Sequence, residues 1–363
     1  MAQLIQFALT QRALMLLLVA LLAAAGGYSF RGLPIDAFPD VSPTQVKIIA
    51  KAPGMTPEEV ESRITAPIEL ELLGIPRQVM LRSVSKYSLA DITVDFLEGT
   101  DIYWARQQVA ERLGAVWDSL PEGIDGGIAP MTTPLGEMFM FTVDGALSLA
   151  ERRTLLDWVI RPALRTVPGV ADVNSLGGYV RSFEIVPDPA RMAARGIDPL
   201  TLADAVAASN RNDGAGRIAE GEETLLVRSE GRIETLDDVR AIVVAAGDGR
   251  PVRVVDVADV RLGALTRYGA VSQDGEGEAV QGLVLGLRGA NAREVVAGVR
   301  AKLDEISSAL PDGVEVNVFY DRGTLVQRAV GTVARALAEA TVLVLVLLFL
   351  FLGGLLGFLL LFT

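Results

Sequence analysis

The chain has 363 residues, enough for two or three domains of roughly 100 to 200 residues with a substantial hydrophobic core. Cysteine and histidine are both absent, which excludes disulfides, Cys/His zinc sites and histidine-based catalytic triads within this sequence. The 33 basic and 45 acidic residues give a net charge of −12, and nucleic acid is not expected as a partner because phosphate binding requires clustered positive charge.

The first predicted element is a stretch of eighteen uncharged residues from Ala13 to Phe30, preceded by Arg12. At about 1.5 Å per residue, this stretch is just long enough for a membrane-spanning helix. An apolar run that follows an arginine and ends in small residues, here 23–25, is also typical of a cleavable signal peptide. The stretch alone therefore leaves both interpretations open.

The pattern from residue 46 to residue 120 predicts the order β-α-β-β-α. Strands are predicted at 46–50, 79–84 and 89–96. In the first helix, Thr56, Pro57 and Glu59 form an N-terminal capping pattern, and the break at 74–76 ends the helix. A second helix is predicted at 101–120, and its apolar face is predicted to hold Tyr103, Val109, Leu113 and Val116.

A similar order follows about 95 residues later, which indicates an internal repeat. The predicted elements are a strand at 138–143, a helix at 148–166 and strands at 171–175 and 181–186. The β-α-β-β order is common in unrelated domains, but the first helix of each unit also contains a proline, Pro67 or Pro162. The paired prolines favour duplication of a ferredoxin-like split βαβ unit.

Residues 180–265 interrupt the second unit and are predicted to form an inserted subdomain. It is predicted to contain a helix at 199–208, a polar turn at 210–214, a hairpin through Ile218 and Leu225, and strands at 241–245 and 252–257. The second unit then resumes with strands at 269–272 and 280–287, a helix at 292–308 and a strand at 314–320.

The last predicted element is a helix that begins near Thr324 and continues into a membrane. The twenty-four residues from Ala340 to Thr363 carry no charge, which favours a membrane-spanning helix. Neither uncharged stretch contains a carboxylate, so neither supplies a proton relay. Arg12 before the first stretch and the acidic segment 31–339 between the two fit a cytoplasmic N-terminus and an extracytoplasmic domain.

No metal ligand is assigned from the sequence, and Met138 and Met140 are the candidates considered. They lie two residues apart in a predicted strand, so both thioethers would share one face, as a copper(I) or silver(I) site requires. Methionines that fill a core are the commoner explanation of such a pair.

No catalytic constellation is found, so we predict a protein that is not an enzyme and holds no cofactor. The string Gly214-Ala215-Gly216 has the letters of a dinucleotide fingerprint, but it follows a helix and a polar turn, so loop glycines are the better interpretation. The charged residues Glu220, Glu222 and Glu223 are typical of a solvated hairpin edge.

Five strings, in chain order, closely resemble the inner-membrane pump subunit of resistance-nodulation-division (RND) efflux systems. They are 33–41 (LPIDAFPDV), 98–106 (EGTDIYWAR), 157–162 (DWVIRP), 167–170 (VPGV) and 320–322 (YDR). The resemblance is best with the heavy-metal branch of the cobalt-zinc-cadmium and copper-silver type. It covers about residues 1–353.

The resemblance implies a proton-driven antiporter in the bacterial inner membrane, a multi-pass homotrimer that works with a periplasmic membrane-fusion adaptor and an outer-membrane channel. Its implied fold is a membrane protein of α+β class, in which two transmembrane helices flank periplasmic ferredoxin-like split βαβ porter subdomains with an inserted α+β docking subdomain. Residues 31–339 would be periplasmic. The first transmembrane helix would be uncleaved.

The expected subdivision follows from the same resemblance. It is 1–30 for the N-terminal tail and transmembrane helix 1, 31–135 for the first porter subdomain, 136–179 and 266–322 for the second, 180–265 for the docking subdomain, 323–353 for transmembrane helix 2 and 354–363 for the truncated start of a third segment. Within the docking subdomain, a hairpin would reach into the neighbouring protomer. Its candidate contact residues are Gly214, Gly216, Glu220, Leu225 and Arg228.

Members of the family are several times longer, so the resemblance implies the N-terminal part of an exporter of heavy-metal cations that is inactive for transport on its own. The acidic proton-relay residues and the methionine metal site of the copper-silver branch would lie in parts absent from this sequence. One alternative is a membrane-anchored scaffold subunit that pairs with a separate second half or with adaptor proteins. Another is an exporter of organic compounds, although the short docking hairpin favours the metal branch.

Overall fold

The structure is a computed structural model that describes residues 10–31, 41–133, 135–211, 213–220, 223–229, 231–247 and 250–351. Its described residues divide into two compact units. Those within Met1–Gly145, Trp158–Ser175 and Gln281–Thr363 form unit 1, and those within Ala146–Asp157 and Leu176–Val280 form unit 2. The string at 33–41 and the predicted third segment at 354–363 fall wholly or mostly outside the described residues.

The first repeat has the β-α-β-β-α order that the sequence predicts, followed by one more strand. Its elements, after the N-terminal helix α1 (Arg12–Arg31), are β1 (Thr44–Lys51), α2 (Pro57–Val60, the π-helical turn Glu61–Thr65 and Ala66–Leu72), β2 (Gln78–Lys86), β3 (Leu89–Phe96), α3 (Ile102–Trp117) and β4 (Asp125–Ile128). Each neighbouring pair in the sheet order β2-β3-β1-β4 is antiparallel, which is the arrangement of a split βαβ fold.

The capping pattern predicted for α2 is confirmed. The Glu59 backbone N–H donates to the Thr56 hydroxyl at 3.3 Å, and the Thr56 backbone N–H donates to the Glu59 carboxylate at 2.9 Å. Asp101 caps α3 in a related way, because its carboxylate accepts from the Trp104 backbone N–H at 2.8 Å. These side chains satisfy N–H groups that have no partner inside the helix.

Helix α2 turns every fourth residue toward the sheet: Val60, Ile64, Ile68 and Leu72 are all fully buried. In a regular α-helix such a series drifts by about 40° at each step. The π-helical turn Glu61–Thr65 takes up one extra residue, which cancels the drift and keeps the four side chains on one face.

Helix α3 packs on the same core, with one correction to the predicted apolar face. Val109, Leu113 and Val116 are buried, as predicted. The prediction is wrong for Tyr103, which is 67% exposed. The buried residue of the first turn is Ala105, which lies one helical turn before Val109, whereas Tyr103 is on the opposite side.

The second repeat starts with the same elements. They are β5 (Glu137–Gly145), α4 (Leu149–Leu155, the π-helical turn Leu156–Ile160 and Arg161–Leu164) and β6 (Val170–Gly177). A long segment then follows before the repeat resumes. It contains β7 (Arg181–Pro187), α5 (Pro189–Arg195), α6 (Pro199–Ser209), β8 (Asp213–Glu220), β9 (Glu223–Ser229), α7 (Leu236–Ala241), β10 (Val243–Gly247), β11 (Arg250–Arg253), α8 (Val254–Val257), β12 (Ala258–Ala264) and β13 (Val271–Gln273).

The strand predicted at 252–257 is wrong over its second half. Strand β11 ends at Arg253, and Val254–Val257 forms a helical turn whose Val254 and Val257 are fully buried. The carboxylate of Asp256 accepts from the Arg253 backbone N–H at 2.9 Å, which starts this turn. Core burial and the cap therefore outweigh the strand preference of valine. Helix α5 was also missed, and the polar turn predicted at 210–214 is shorter because β8 begins at Asp213.

The repeat is completed by β14 (Gly277–Gly286), α9 (Ala292–Ser307) and β15 (Val314–Asp321). Strand β14 pairs with β6 and β5, and β15 pairs with β5. The order β6-β14-β5-β15 thus matches β2-β3-β1-β4 of the first repeat position by position. The long segment is therefore inserted in the second repeat, between the second and third strands of that repeat.

Helix α10 (Arg322–Phe351) follows β15 directly and is 30 residues long. Among the described residues it is the one helix long and apolar enough to cross a membrane. The apolar part of α1, Ala13–Ser29, is shorter than the roughly 20 residues that typically span a bilayer. The fold thus supports one of the two predicted membrane helices by length and composition, and the other stays a prediction.

Candidate functional site

The five candidate docking residues lie on one two-stranded antiparallel ribbon, β8–β9. In the backbone register, Gly214 is opposite Arg228, Gly216 is opposite Val227, and Leu225 is opposite Ile218. Glu220 is paired with Glu223 at the end where the strands meet. The predicted hairpin is therefore present in the backbone, and its tip at 221–222 lies outside the described residues.

An irregularity in this ribbon explains why one of the candidates, Gly216, is a glycine. The register shifts between Gly214 and Gly216, and Gly216 has φ of +102°, a conformation that L-residues rarely adopt. An ideal Cβ on Gly216 would meet nothing within 4 Å, so the backbone angle and not crowding selects glycine there. Such a bulge bends and twists a ribbon.

The two candidate methionines of β5 differ in surroundings, and the register of β5 with β14 shifts at Met138, because Phe139 is opposite Val284 while Glu137 is opposite Leu285. Their shared face therefore stays a prediction. Met138 is buried, and its thioether lies over Gly286 of β14, where the missing side chain makes room for it. Met140 is half-buried and paired in register with Leu283 and Tyr320. This geometry suits a core-filling role for Met138 and leaves Met140 the more accessible sulfur.

Further along β5, Thr142 and Asp144 carry polar side chains. The carboxylate of Asp144 accepts from the Thr142 hydroxyl and from the Asn317 amide, both at 2.8 Å. Thr142 is buried. Within the described part of the chain, no group of three or more His, Cys, Asp or Glu side chains is placed to hold a metal ion.

Charged residues hold the junction between β15 and α10. The carboxylate of Asp321 accepts from the Arg300 guanidinium at 2.5 and 2.9 Å and from the Thr324 backbone N–H at 3.1 Å. Arg322 is 5% exposed and donates to the backbone carbonyl of Leu135. Sequence reasoning did not assign these residues a role. In the sequence, Asp321 and Arg322 stand out only as part of the string at 320–322, just before a long apolar helix.

Two clefts lie beside β15, one between this strand and α9 and the other between the end of the strand and the first turns of α10. One has a volume of about 470 Å³ and the other of about 380 Å³. Arg300 and Val318 line both. Asp304 and Glu315 add negative charge to the larger cleft, and Asp321 adds it to the smaller. Both clefts are therefore lined by a mixture of charged and apolar groups.

Arg106, in the string at 98–106, anchors the chain where it leaves the first repeat. Its guanidinium donates to the backbone carbonyl of Ala129 at 2.7 Å. Burial lowers the pKa of Arg106 from its ordinary value. A second arginine holds the chain just before β1: the Arg288 guanidinium donates to the carbonyls of Ser42 and Pro43, at 2.7 and 3.0 Å. Long-range contacts of this kind leave no periodic signal in the sequence.

Comparison with known proteins gives one consistent result. A family model described as the AcrB/AcrD/AcrF family matches residues 4–357. Protein HelA of Legionella pneumophila is 42% identical over 361 residues, which cover 97% of this chain and 34% of HelA. The cobalt-zinc-cadmium resistance protein CzcA of Cupriavidus metallidurans is 41% identical over 366 residues, with coverage of 97% and 34%.

The cation efflux system protein CusA of Escherichia coli K12 is 37% identical over 352 residues, which cover 96% of this chain and 34% of CusA. A crystal structure of a heavy metal efflux pump matches with a TM-score of 0.90 and 35% identity, covering 97% of this chain and 35% of that one. The chain thus spans about a third of the length of the relatives it matches.

Proposed function

The chain belongs to the AcrB/AcrD/AcrF family, and from that premise we propose that it is the N-terminal part of an efflux transporter that exports heavy-metal cations across the bacterial cell envelope. The family is one of RND transporters and not of enzymes. The observation that carries the proposal is the match along 97% of this chain to proteins named for resistance to cobalt, zinc and cadmium.

The proposed architecture assigns the two split βαβ repeats to two porter subdomains and the inserted segment to a docking subdomain. The repeated strand order supports this assignment. The proposed boundaries remain 31–135, 136–179 with 266–322, and 180–265. Helices α1 and α10 would both cross the inner membrane and leave 31–339 in the periplasm.

Transport would be driven by protons and carried out by a homotrimer with a periplasmic adaptor and an outer-membrane channel. The β8–β9 ribbon would reach into the neighbouring protomer, and the bend at Gly216 would direct it outward from its own subunit. Met140, with Met138 behind it, would be a transient thioether contact for a soft cation such as copper(I) or silver(I).

The test of substrate class is the accumulation of ions in cells. Removing the coding region of these 363 residues from the native gene is expected to raise the cellular content of at least one of cobalt, zinc, cadmium, nickel, copper and silver. If the deletion leaves the cellular content of all six metals unchanged and makes the cells retain an organic dye, the substrate class is organic compounds and not metals.

The proposed topology can be tested with single cysteines because the chain has none of its own. Asp237, whose side chain is 87% exposed, and Leu350 in α10 are suitable positions. A membrane-impermeant maleimide applied from outside the inner membrane should label Asp237→Cys and leave Leu350→Cys unlabelled. Labelling of both, or of neither, contradicts the arrangement.

The proposed inactivity of the isolated segment has its own test. Vesicles that contain only these 363 residues should show no proton-gradient-dependent movement of metal ions. Such movement, measured with a fluorescent zinc indicator and abolished by a protonophore, would show that the segment transports by itself. Co-purification of a separate membrane subunit with the 363-residue chain would instead favour the scaffold alternative.

A further inference from the structure

Two short segments of unit 2 connect the ribbon β7–β12 to the strands β6 and β13. The outgoing segment is 177–180, which starts at the last residue of β6, and the returning segment is 265–270. We call these two segments the neck. The ribbon remains paired up to the neck, because the Leu265 backbone N–H donates to the Val180 carbonyl at 3.0 Å, directly beyond the last ribbon pair of Arg181 with Ala264.

The outgoing segment contains two consecutive glycines that are tightly packed. Gly177 and Gly178 have φ of +70° and +66°. A Cβ on Gly177 would collide with the carbonyl oxygen of Ala279, and one on Gly178 would lie 2.8 Å from a methyl group of Val280 and 2.9 Å from the carbonyl oxygen of Leu149. Here glycine permits close approach of the backbone to its neighbours and does not provide an open swivel.

An arginine of α4 holds the same segment. Arg153 donates to the carbonyl of Gly177 at 2.7 Å and forms an ion pair with Asp157, also at 2.7 Å. The Arg153 side chain is 19% exposed. The guanidinium of Arg153 is held by both contacts, so the carbonyl of Gly177 accepts from a charged donor whose position is fixed.

The returning segment is attached to the outgoing one by Arg267. The Arg267 guanidinium lies over the Tyr179 ring, 4.3 Å from its centre. The same group donates to both carboxylate oxygens of Glu278 in β14, at 2.5 and 2.9 Å. One planar side chain therefore contacts both segments of the neck and the sheet strand beneath them, a combination that suits arginine and not lysine.

We propose that the neck is a fixed joint and that Arg267 is the residue that fixes it. The inserted ribbon then keeps one orientation relative to residues 277–280 of β14 and to Leu149–Leu155, all of unit 2, and a force on the inserted segment is passed to these residues without being absorbed at the connection. Two strand connections without such a contact would act as a hinge. The inference concerns the mechanics of this chain and stands apart from the proposed transport function.

The test is a distance measurement between two spin labels on the full chain in lipid nanodiscs. Asp204→Cys in α6 and Glu276→Cys beside β14 place one exposed label on each side of the neck, and the chain has no other cysteine. With Arg267 present, we expect one narrow distance peak. In the Arg267→Gln background we expect that single peak to be lost in a broad distribution.

Arg261→Gln is the matched control. Arg261 forms an ion pair of the same type with Glu184, at 2.8 Å, but within the ribbon and outside the neck. This variant should keep the narrow peak. Tyr179→Leu removes the aromatic ring under Arg267 and keeps an apolar side chain there. This variant should also lose the narrow distance peak. It replaces Arg267→Gln as the test if Arg267→Gln does not fold. A broad distribution with Arg267 in place, or a narrow one in both neck variants, overturns the proposal.

Discussion

Pro67 and Pro162 occupy the same position in two separate helices: each is the second residue after a five-residue π-helical turn. Proline has no N–H to donate, and its ring collides with the carbonyl four residues earlier in a regular α-helix. A wider turn before it relieves that collision. The two repeats therefore share an irregularity of the backbone as well as a strand order, which strengthens the interpretation as a duplication.

The first prediction concerns the buried face of α2. Leu72 is fully buried and Leu70 is 71% exposed in the same short helical segment. Leu72→Ala should lower the free energy of unfolding by about 2 to 5 kcal/mol, because it leaves a cavity in the first core. Leu70→Ala should change it by less than about 0.5 kcal/mol. Urea unfolding followed by tryptophan fluorescence measures both, and equal losses would refute the assigned register of α2.

The second prediction separates backbone strain from crowding at two glycines. Gly178 and Gly196 have almost the same φ, +66° and +65°, but a Cβ would be crowded only at Gly178. Gly196→Ala should cost roughly 1 to 2 kcal/mol from the left-handed conformation alone. Gly178→Ala should cost a further amount of about 1 to 3 kcal/mol from overpacking. Thermal unfolding compares them, and a larger loss at Gly196 would contradict the packing of the neck.

The third prediction is a pH dependence at the start of α5. The backbone N–H of Arg191, followed by its guanidinium, lowers the pKa of the Asp188 carboxyl. A lowered folded pKa means that the charged carboxylate stabilises the fold above its unfolded pKa, and that this contribution disappears as the pH falls through the folded pKa. Asp188→Asn should therefore lower the melting temperature at neutral pH.

The difference between Asp188→Asn and the parent should shrink as the solution is acidified below the ordinary pKa of a carboxyl group. Asparagine keeps an acceptor for the helix N–H groups, so the pH-dependent part isolates the charge. Asp188→Ala removes the acceptor as well and should be the less stable variant at every pH. A gap between parent and Asp188→Asn that persists unchanged in acid would argue against a charge effect.

The fourth prediction concerns Asp321, which accepts from both Arg300 and the first turn of α10. Asp321→Ala should cost more stability than Asp321→Asn, because asparagine retains the cap, which contributes about 0.5 to 2 kcal/mol. Glu305→Gln, which removes the exposed ion pair with Lys302, should change stability by less than about 1 kcal/mol. Equal effects of the two Asp321 variants would show that the cap contributes nothing.

Local signals predicted much of this fold because they act over a few residues. The Thr56–Glu59 cap, the buried Val109 and Leu113, and the helix at 292–308 all follow from spacing and chemistry within one or two helical turns. The helical turn Val254–Val257 was missed because its valines favour strands, and only tertiary burial reverses that preference.

The candidate site was predicted less well, for a physical reason. A hairpin has a local signature, so the ribbon that holds Gly216 and Leu225 could be located before its structure was known. The contacts of Arg267 with Tyr179 and of Arg288 with Ser42 join residues far apart in the sequence. No periodicity links such residues, so only the folded chain shows that they meet.

Strand β15 ends at Asp321 and helix α10 begins at Arg322, with no residue between them. One inserted residue at this point would rotate the whole helix by about 100° and advance it by about 1.5 Å. Arg328 and Arg335, which lie two turns apart on one side, would then point about a quarter turn away from their present direction. The rotational phase of α10 is thus set by the sheet, and this junction cannot accept the insertions and deletions that surface loops of the same protein can absorb.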